Sequence, residues 1–465
     1  MNREICAKLE KWLDEHFDSL VEDVKHLVSI PSVATYDDPD TPYGPACRQV
    51  LHEMLALAGR FGFQTQNCED RCGTMTRRPG SEEISVWCHL DVVPAGDGWT
   101  LTTPFEPVIR DGYMIGRGAD DNKGPAVGAL YVLRAFEELG IPTRHGLRLC
   151  VGCDEEHGMT DVQYYAKNYP AAKLAVIADS GFPVCYGEKG IIEANLVSER
   201  PLENVTRLKA GMASNILPDA AEMILRGAAD ASGEWVRSET AGGETRLTAR
   251  GISRHSAFPE GGVNAIHELT AAALATGLLT EWDARTLRFF TRVNDDYAGT
   301  ALSIDSRDEV SGATTCVGTM ASLKEDGRAV LHLNIRHCIS ADADQLLASI
   351  DRACRENSCV LESWHASAPN YFPRENPVVD AMTGVFNELT GAHAEPFVMG
   401  GGTYARKLPN ALAFGLGGLP RGETALFAPG HGGAHQVDEG LHLANLKRAL
   451  LIFAMGLLEA DRVLA

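Results

Sequence analysis

Positive charge is what this sequence has least of. Against 63 Asp and Glu it sets only 42 Lys and Arg, a formal net charge of −21 at pH 7. A chain so acidic excludes general binding to nucleic acid or to an anionic membrane, since both need clustered cations. Long hydrophobic runs are also missing. The best, Ala449–Leu458, has the length of a core helix and falls short of the ~18–20 residues of a membrane span. The first residues, Met1-Asn-Arg-Glu-Ile-Cys6, lack the charged-then-apolar design of a secretory signal. No internal repeat and no low-complexity linker interrupts the chain. With 45% hydrophobic and 23% charged residues the composition excludes a disordered protein. The expectation is a soluble, cytoplasmic protein whose 465 residues form two or three domains.

Cysteine is not scarce. Twelve cysteines are scattered through a chain without an export signal, which favours reduced thiols over a disulfide framework. Cys150-Val-Gly-Cys153 has the spacing of a redox or zinc motif, but it lies in an apolar run and has no second pair. It reads as small buried residues, and Cys68 and Cys72 are no better placed.

Apolar positions at helical spacing over the first 27 residues (Ile5, Leu9, Trp12, Leu13, Phe17, Leu20, Val24, Leu27) predict an amphipathic helix. A second helix is expected over Ala46–Phe61 and a long one over Gly124–Leu139, with buried strands at Ile84–Trp87, Leu147–Val151 and Leu174–Ile177. Strands alternating with helices argue an α/β fold with a mostly parallel sheet flanked by helices. After Gly190 the texture changes to alternating strands (Ile191–Val197, Ala221–Arg226, Glu244–Arg250, Ala329–Ile335) around helices (Ala265–Leu279, Ala341–Arg355). This reads as an inserted α+β domain. The expected division is 1–190 with 375–465 as one α/β domain, and 191–374 as the inserted one.

The chemistry-bearing residues recur at strand ends, where open α/β sheets carry their sites. His89-Leu-Asp91 puts an imidazole and a carboxylate two apart, on one side of a strand. A carboxylate that orients a His makes it a better metal ligand, although a strand-end turn gives the same pair. Gly116-Arg-Gly-Ala-Asp-Asp-Asn-Lys-Gly124 sets two acids among glycines before a helix; the phosphate-loop spacing is absent and the paired acids would repel phosphate. Cys153-Asp-Glu-Glu-His-Gly158 ends a buried strand in three acids, costly unless something positive meets them. Asp179 follows another apolar strand, and His435 lies in a Gly-rich loop before the last helix. Three carboxylates and two histidines suffice for two hydrolytic metal ions sharing one bridging acid, and mixed His/carboxylate ligation suits zinc, cobalt or manganese.

Together, His89-Leu-Asp91, Gly116-Arg-Gly118 through Asp121-Asn-Lys-Gly124, Asp154-Glu155-Glu156, Asp179 and His435 resemble, in order and separation, the signature blocks of the M20 metallopeptidase family. Phe182-Pro-Val with Tyr186-Gly-Glu-Lys-Gly190, Gly400-Gly-Gly-Thr-Tyr-Ala-Arg406 and His435-Gln-Val-Asp-Glu439 resemble its PepV/Sapep-like dinuclear dipeptidases. The resemblance implies two divalent ions per subunit, Zn2+ with Mn2+ or Co2+ as alternatives. His89 and Asp179 would hold one, Glu156 and His435 the other, and Asp121 would bridge them. Glu155 would be the general base toward a metal-bridging water, and Asp91 the partner tuning the His89 metal. The resemblance makes 1–190 with 375–465 the catalytic metal-binding domain and 191–374 an inserted α+β lid domain, where it assigns His255 and Asn215 to the substrate's oxyanion and Arg336 to its free carboxylate.

What the resemblance implies is hydrolysis of a small dipeptide, without nucleic acid or membrane partners, by a monomer or homodimer. The size of the insert favours a site completed within one chain. An N-acyl amino acid deacylase of the same family is the alternative, and an inactive binding protein a remote one, since every ligand and the base are present. Cys88 stands where a Gly is usual and should face the core. His157 and Ser180-Gly181 depart from the pattern near the site, and His431 is an extra imidazole with a loop role expected.

Overall fold

The computed structural model describes residues 1–77, 82–417, 419 and 424–464. The chain divides into two compact units, each with its own hydrophobic core.

The first unit comprises Met1–Tyr186, Tyr371–Phe397 and Thr403–Ala465. It opens with the helix Arg3–Val28, capped by Asn2, whose side chain accepts the Glu4 and Ile5 N–H groups; Leu9, Trp12, Leu13, Leu20, Val24 and Leu27 form its buried stripe. At the centre of the unit four consecutive strands run parallel, in the order Gly146–Gly152, Glu83–His89, Leu174–Ile177 and Ala411–Phe414. Antiparallel strands flank them: Cys72–Arg77 and Gln64–Cys68 on one side, Val184–Glu188 on the other. The inner strands are buried on both faces, as parallel strands covered by helices must be. Helices Arg3–Val28, Gly124–Glu138, Pro377–Thr390 and Leu443–Val463 share their core.

Register decides where the chemistry falls. His89 pairs with Gly152, and Trp87 with Ile177. The residues that follow these strand ends, Glu155, Glu156 and Asp179, therefore emerge beside His89. A small antiparallel sheet joins Gly440–His442 to Tyr113–Ile115, which draws the His435 loop toward the segment that carries Asp121.

The second unit comprises Gly187–Asn370 and Val398–Gly402. Its eight-stranded antiparallel sheet runs Val236–Ala241, Glu244–Arg250, Ala220–Arg226, Val205–Ala210, Thr315–Leu323, Ala329–His337, Gly190–Ser198, Cys359–Ser367. Alternating burial along Gly190–Ser198 and Glu244–Arg250 gives the sheet one apolar face, against which helices Ala265–Ala275, Glu281–Val293 and Ala343–Glu356 bury theirs. The helix expected to reach Leu279 ends at Ala275. Gly277, at φ +68°, supplies the left-handed turn that stops it.

All twelve cysteines are free thiols, and all but Cys6 are buried. Cys88 is fully buried in the core of the first unit. Among the described residues no helix is long and apolar enough to cross a membrane.

Candidate metal centre

The first unit brings seven of the expected residues together. Nε2 of His89 lies 3.0 Å from Oδ1 of Asp121 and 3.7 Å from Oδ2 of Asp179. Nε2 of His435 lies 3.0 Å from Oδ2 of Asp121 and 3.0 Å from Oε1 of Glu156. Asp121 thus turns one oxygen to each imidazole. Two sets of donor atoms converge within 4.8 Å: His89, Asp121 and Glu156, and His89, Glu155 and Asp179. The proximity of Glu155 makes it either a ligand or a group poised beside the ligands.

His89 is buried, and its Nδ1 lies 3.0 Å from the main-chain oxygen of Asp91. With a metal ion bound, the ring proton would stay on Nδ1 and leave the Nε2 lone pair for the ion, the tautomer a metal ligand needs. The Asp91 carboxylate approaches Nδ1 only to 3.5 Å. It accepts instead the N–H groups of Glu155 (3.2 Å) and Glu156 (3.0 Å), so Asp91 holds the acidic loop as well as the ring.

The electrostatics call for cations. Burial first, and then the charge of Asp179, push the Glu155 carboxyl well above its ordinary range. Burial and Asp121 push Asp179 up to about 7, and burial with Asp121 raises Glu156. Burial would raise Asp121 too, but the two imidazoles outweigh it and hold it low. Hydrogen bonds to Asp121 and Glu156 raise His435 to about 11. Desolvation opposes charge on His89, yet Asp121 and Asp91 lift it well above its usual value. Like charges in one buried site demand protons or metal ions, and Glu155 Oε1 is buried with no hydrogen-bond partner among the described residues. The donor set, two imidazoles and several carboxylates around one shared acid, fits a pair of divalent cations.

Sequence reasoning missed the groups that brace the ligand loops. Asn122, whose peptide bond to Asp121 is cis, is buried; its Nδ2 donates to Asp179 Oδ1 (2.9 Å) and the Ala178 carbonyl (3.0 Å), and its Oδ1 accepts the His89 N–H (3.3 Å). Glu439 accepts the N–H groups of Gly118, Asp120 and Asp121 (2.9–3.1 Å) and pairs at 2.6 Å with buried Arg117, which also reaches the His435 carbonyl. Both residues stand in quoted sequence blocks, but only the folded chain shows what they hold. His431 faces Asp438 at 2.8 Å, and Asp438 in turn accepts the Thr100 and Leu101 N–H groups; this imidazole braces a loop. His157 is exposed, its ring 5.0 Å from that of Tyr36.

The remaining three expected residues lie in the second unit. Isolated bridge pairing joins Ile216 to His255, and the Ser256 N–H donates to the Asn215 carbonyl, so Asn215 and His255 sit on neighbouring segments. His255 Nδ1 accepts the Ala257 N–H (3.1 Å), which places the ring proton on Nε2. Burial and the charge of Arg336 lower its pKa, so the ring is neutral. Arg336 is buried, its Nε donating to Asn334 Oδ1 (2.8 Å) and its Nη1 to the Gly400 carbonyl (3.0 Å). The short return of the chain through Val398–Gly402 thus helps to orient this guanidinium.

Known proteins resemble this chain over nearly its whole length. The Bacillus subtilis protein named "Putative dipeptidase YtjP" is 31% identical over 472 residues, covering 95% of this chain and 97% of its own. The structure of the di-peptidase Dug1p from Saccharomyces cerevisiae superposes with a TM-score of 0.60 at 16% identity, covering 98% of each chain. Human carnosine dipeptidase 1 gives a TM-score of 0.60 at 15% identity, covering 98% of this chain and 99% of its own; at such identities these two show a shared fold. The description "Peptidase family M20/M25/M40" matches residues 86–459, a stretch that contains every residue of the centre. The chain belongs to this family of metallopeptidases.

Proposed function

We propose that this chain is a dipeptidase that hydrolyses the amide bond of small dipeptides with the help of two divalent cations. The observation that carries the reading is the Asp121 carboxylate, with one oxygen 3.0 Å from each of two imidazoles. Family membership supports peptide hydrolysis, and the names of the relatives support a dipeptide as substrate.

In this reading His89 and Asp179 would hold one cation, Glu156 and His435 the other, and Asp121 would serve both. The donor set suits Zn2+, with Mn2+ or Co2+ as alternatives. When bound, such a pair acidifies water and polarises a carbonyl. The chain's own residues do the rest. Glu155, half-buried and with its affinity for a proton raised, takes the proton of the attacking water and delivers it to the leaving amine. His255, donating through Nε2–H, and Asn215 stabilise the oxyanion, and the fork of Arg336 receives the substrate's free carboxylate. Asp91 fixes both the His89 ring and the Glu155 backbone.

A hydrolysis panel tests this: unmodified dipeptides against N-acetyl and N-succinyl amino acids, each with Zn2+, Mn2+ and Co2+. The proposal expects dipeptides to be cleaved with the highest kcat/KM. Preference for the N-acyl amino acids would transfer the chain to the deacylases.

A further inference from the structure

Glu155 sits at the tip of a loop that leaves the strand Gly146–Gly152, and two buried carboxylates seize the first four peptide N–H groups of that loop. Cys153 and Asp154 donate to Asp161 Oδ2 at 2.7 and 2.9 Å. Glu155 and Glu156 donate to Asp91. Asp161 is fully buried and its second oxygen takes the Val162 N–H at 2.6 Å, which anchors it at the first turn of the helix Thr160–Asn168.

One further donor completes this carboxylate. The Tyr404 hydroxyl, buried in the first unit, donates to Asp161 Oδ2. Burial holds the phenol far above its ordinary pKa, so it keeps the proton it donates. Its ring meets Trp87 edge-on at 5.6 Å, two residues before His89. Tyr404 therefore ties the His89 strand to the origin of the Glu155 loop. Gly152 records how tightly this is built. A Cβ at that position would collide with both the Tyr404 hydroxyl and Asp161 Oδ2, so the carboxylate and phenol occupy the space a side chain would need. A fixed run of four consecutive peptides leaves Glu155 little freedom beyond its own rotamers, and misplacing a proton-transfer group by about 1 Å costs on the order of 100-fold in rate.

We infer that Asp161 and Tyr404 are positioning residues, which set the direction in which Glu155 presents its carboxylate without touching substrate or metal. The inference rests on the reading of Glu155 as general base. It goes beyond that reading in giving Tyr404, in the block Gly400–Arg406, a catalytic consequence.

The test compares Y404F, D161N, D161A and E155Q in the metal-loaded full chain, on the dipeptide that the panel cleaves best. Metal content and Tm are measured beside kcat and KM. Y404F keeps the ring and loses one hydrogen bond; kcat is expected to fall about 10-fold or more with KM within about twofold and both metal ions retained. D161N keeps one oxygen for the Cys153, Asp154 and Tyr404 donors, so it should exceed D161A in kcat by about 10-fold, a rescue that simple loss of packing would not produce. Y404F with native kcat, or with a loss explained wholly by missing metal or a raised KM, overturns the inference, as does D161N no better than a folded D161A. Should D161A fail to fold, Y404F still decides. If E155Q keeps native turnover, the base assignment fails and this inference with it. If E155Q is inactive while Y404F is native, only the positioning role fails.

Discussion

His89 and His435 share one carboxylate. Their Nε2 atoms lie 3.0 Å from opposite oxygens of Asp121, although the two histidines are separated by most of the chain. An acid so placed can serve two cations at once, and an amide in its place cannot. D121N should therefore reduce the metal content from two ions per chain to one or fewer, measured by elemental analysis after gel filtration. It should also lower kcat about 100-fold or more, as the loss of several kcal/mol of charge stabilisation requires. A D121N protein that bound two ions as tightly as the native one would remove the bridging role.

Glu155 lies close enough to His89 and Asp179 to be counted as a ligand, so a substitution must separate ligand from base. E155Q removes the proton acceptor at nearly constant volume. As a general base, its loss should lower kcat by about 10²- to 10⁴-fold while two metal ions remain bound. Loss of one ion in E155Q would instead assign Glu155 to the coordination of the His89 side.

Much of this site is written in short blocks. His89, Asp121, Glu155, Glu156 and Asp179 each follow an apolar strand or a Gly-rich turn, so their location at strand ends could be read from pattern alone. The long helices and the buried parallel strands were equally legible, because their apolar runs are long. Strands such as Val236–Ala241 and Cys359–Ser367 were not; they are sheet edges, half exposed, and their polar residues hide the alternation. Nor could pattern reveal that Glu439 would hold the Asp121 turn, or that Asp161 would gather four donors. Those partners are hundreds of residues apart or packed through the main chain, and hydrogen bonding of that kind leaves no periodic trace. The return of Val398–Gly402 to the second unit is likewise invisible, since five residues carry no texture of their own.

Removing the metal should make stability depend on pH with a definite sign. In the metal-free chain Asp179 is pushed from 3.8 up to about 7, so the folded state holds a proton that the unfolded chain loses near pH 4. Its stabilising effect is complete below about 4 and is lost as pH rises through about 7. His435, raised from 6.5 to about 11, adds stability that is complete below 6.5 and lost as pH rises toward 11. Asp121 is held low, so its contribution is already present above 3.8 and stays constant over this window. The chelated protein should therefore lose about 5 °C or more in Tm between pH 5.5 and 8.5. The metal-loaded protein should hold its Tm across the same range, because cations take the place of protons and bind better as the ligands deprotonate. Coincident Tm–pH curves with and without chelator would rule out a metal-dependent cluster here.

Arg336 offers the sharpest test of what the substrate must carry. Its guanidinium is buried and oriented by Asn334 and the Gly400 carbonyl, and Asn334 Oδ1 is itself held by the Ser256 hydroxyl at 2.8 Å. Such a preset fork can meet a carboxylate through two parallel hydrogen bonds, which a lysine ammonium cannot reproduce. R336K should therefore raise KM for an unmodified dipeptide by about 10-fold or more, the worth of one charge-assisted hydrogen bond. For the C-terminal amide of the same dipeptide, KM should start high in the native enzyme and change little on substitution. The ratio of the two kcat/KM values, large for native protein, should collapse toward one in R336K. A native enzyme that cleaved acid and amide equally well would mean that no carboxylate is read, and Arg336 would then be a structural residue of the second unit.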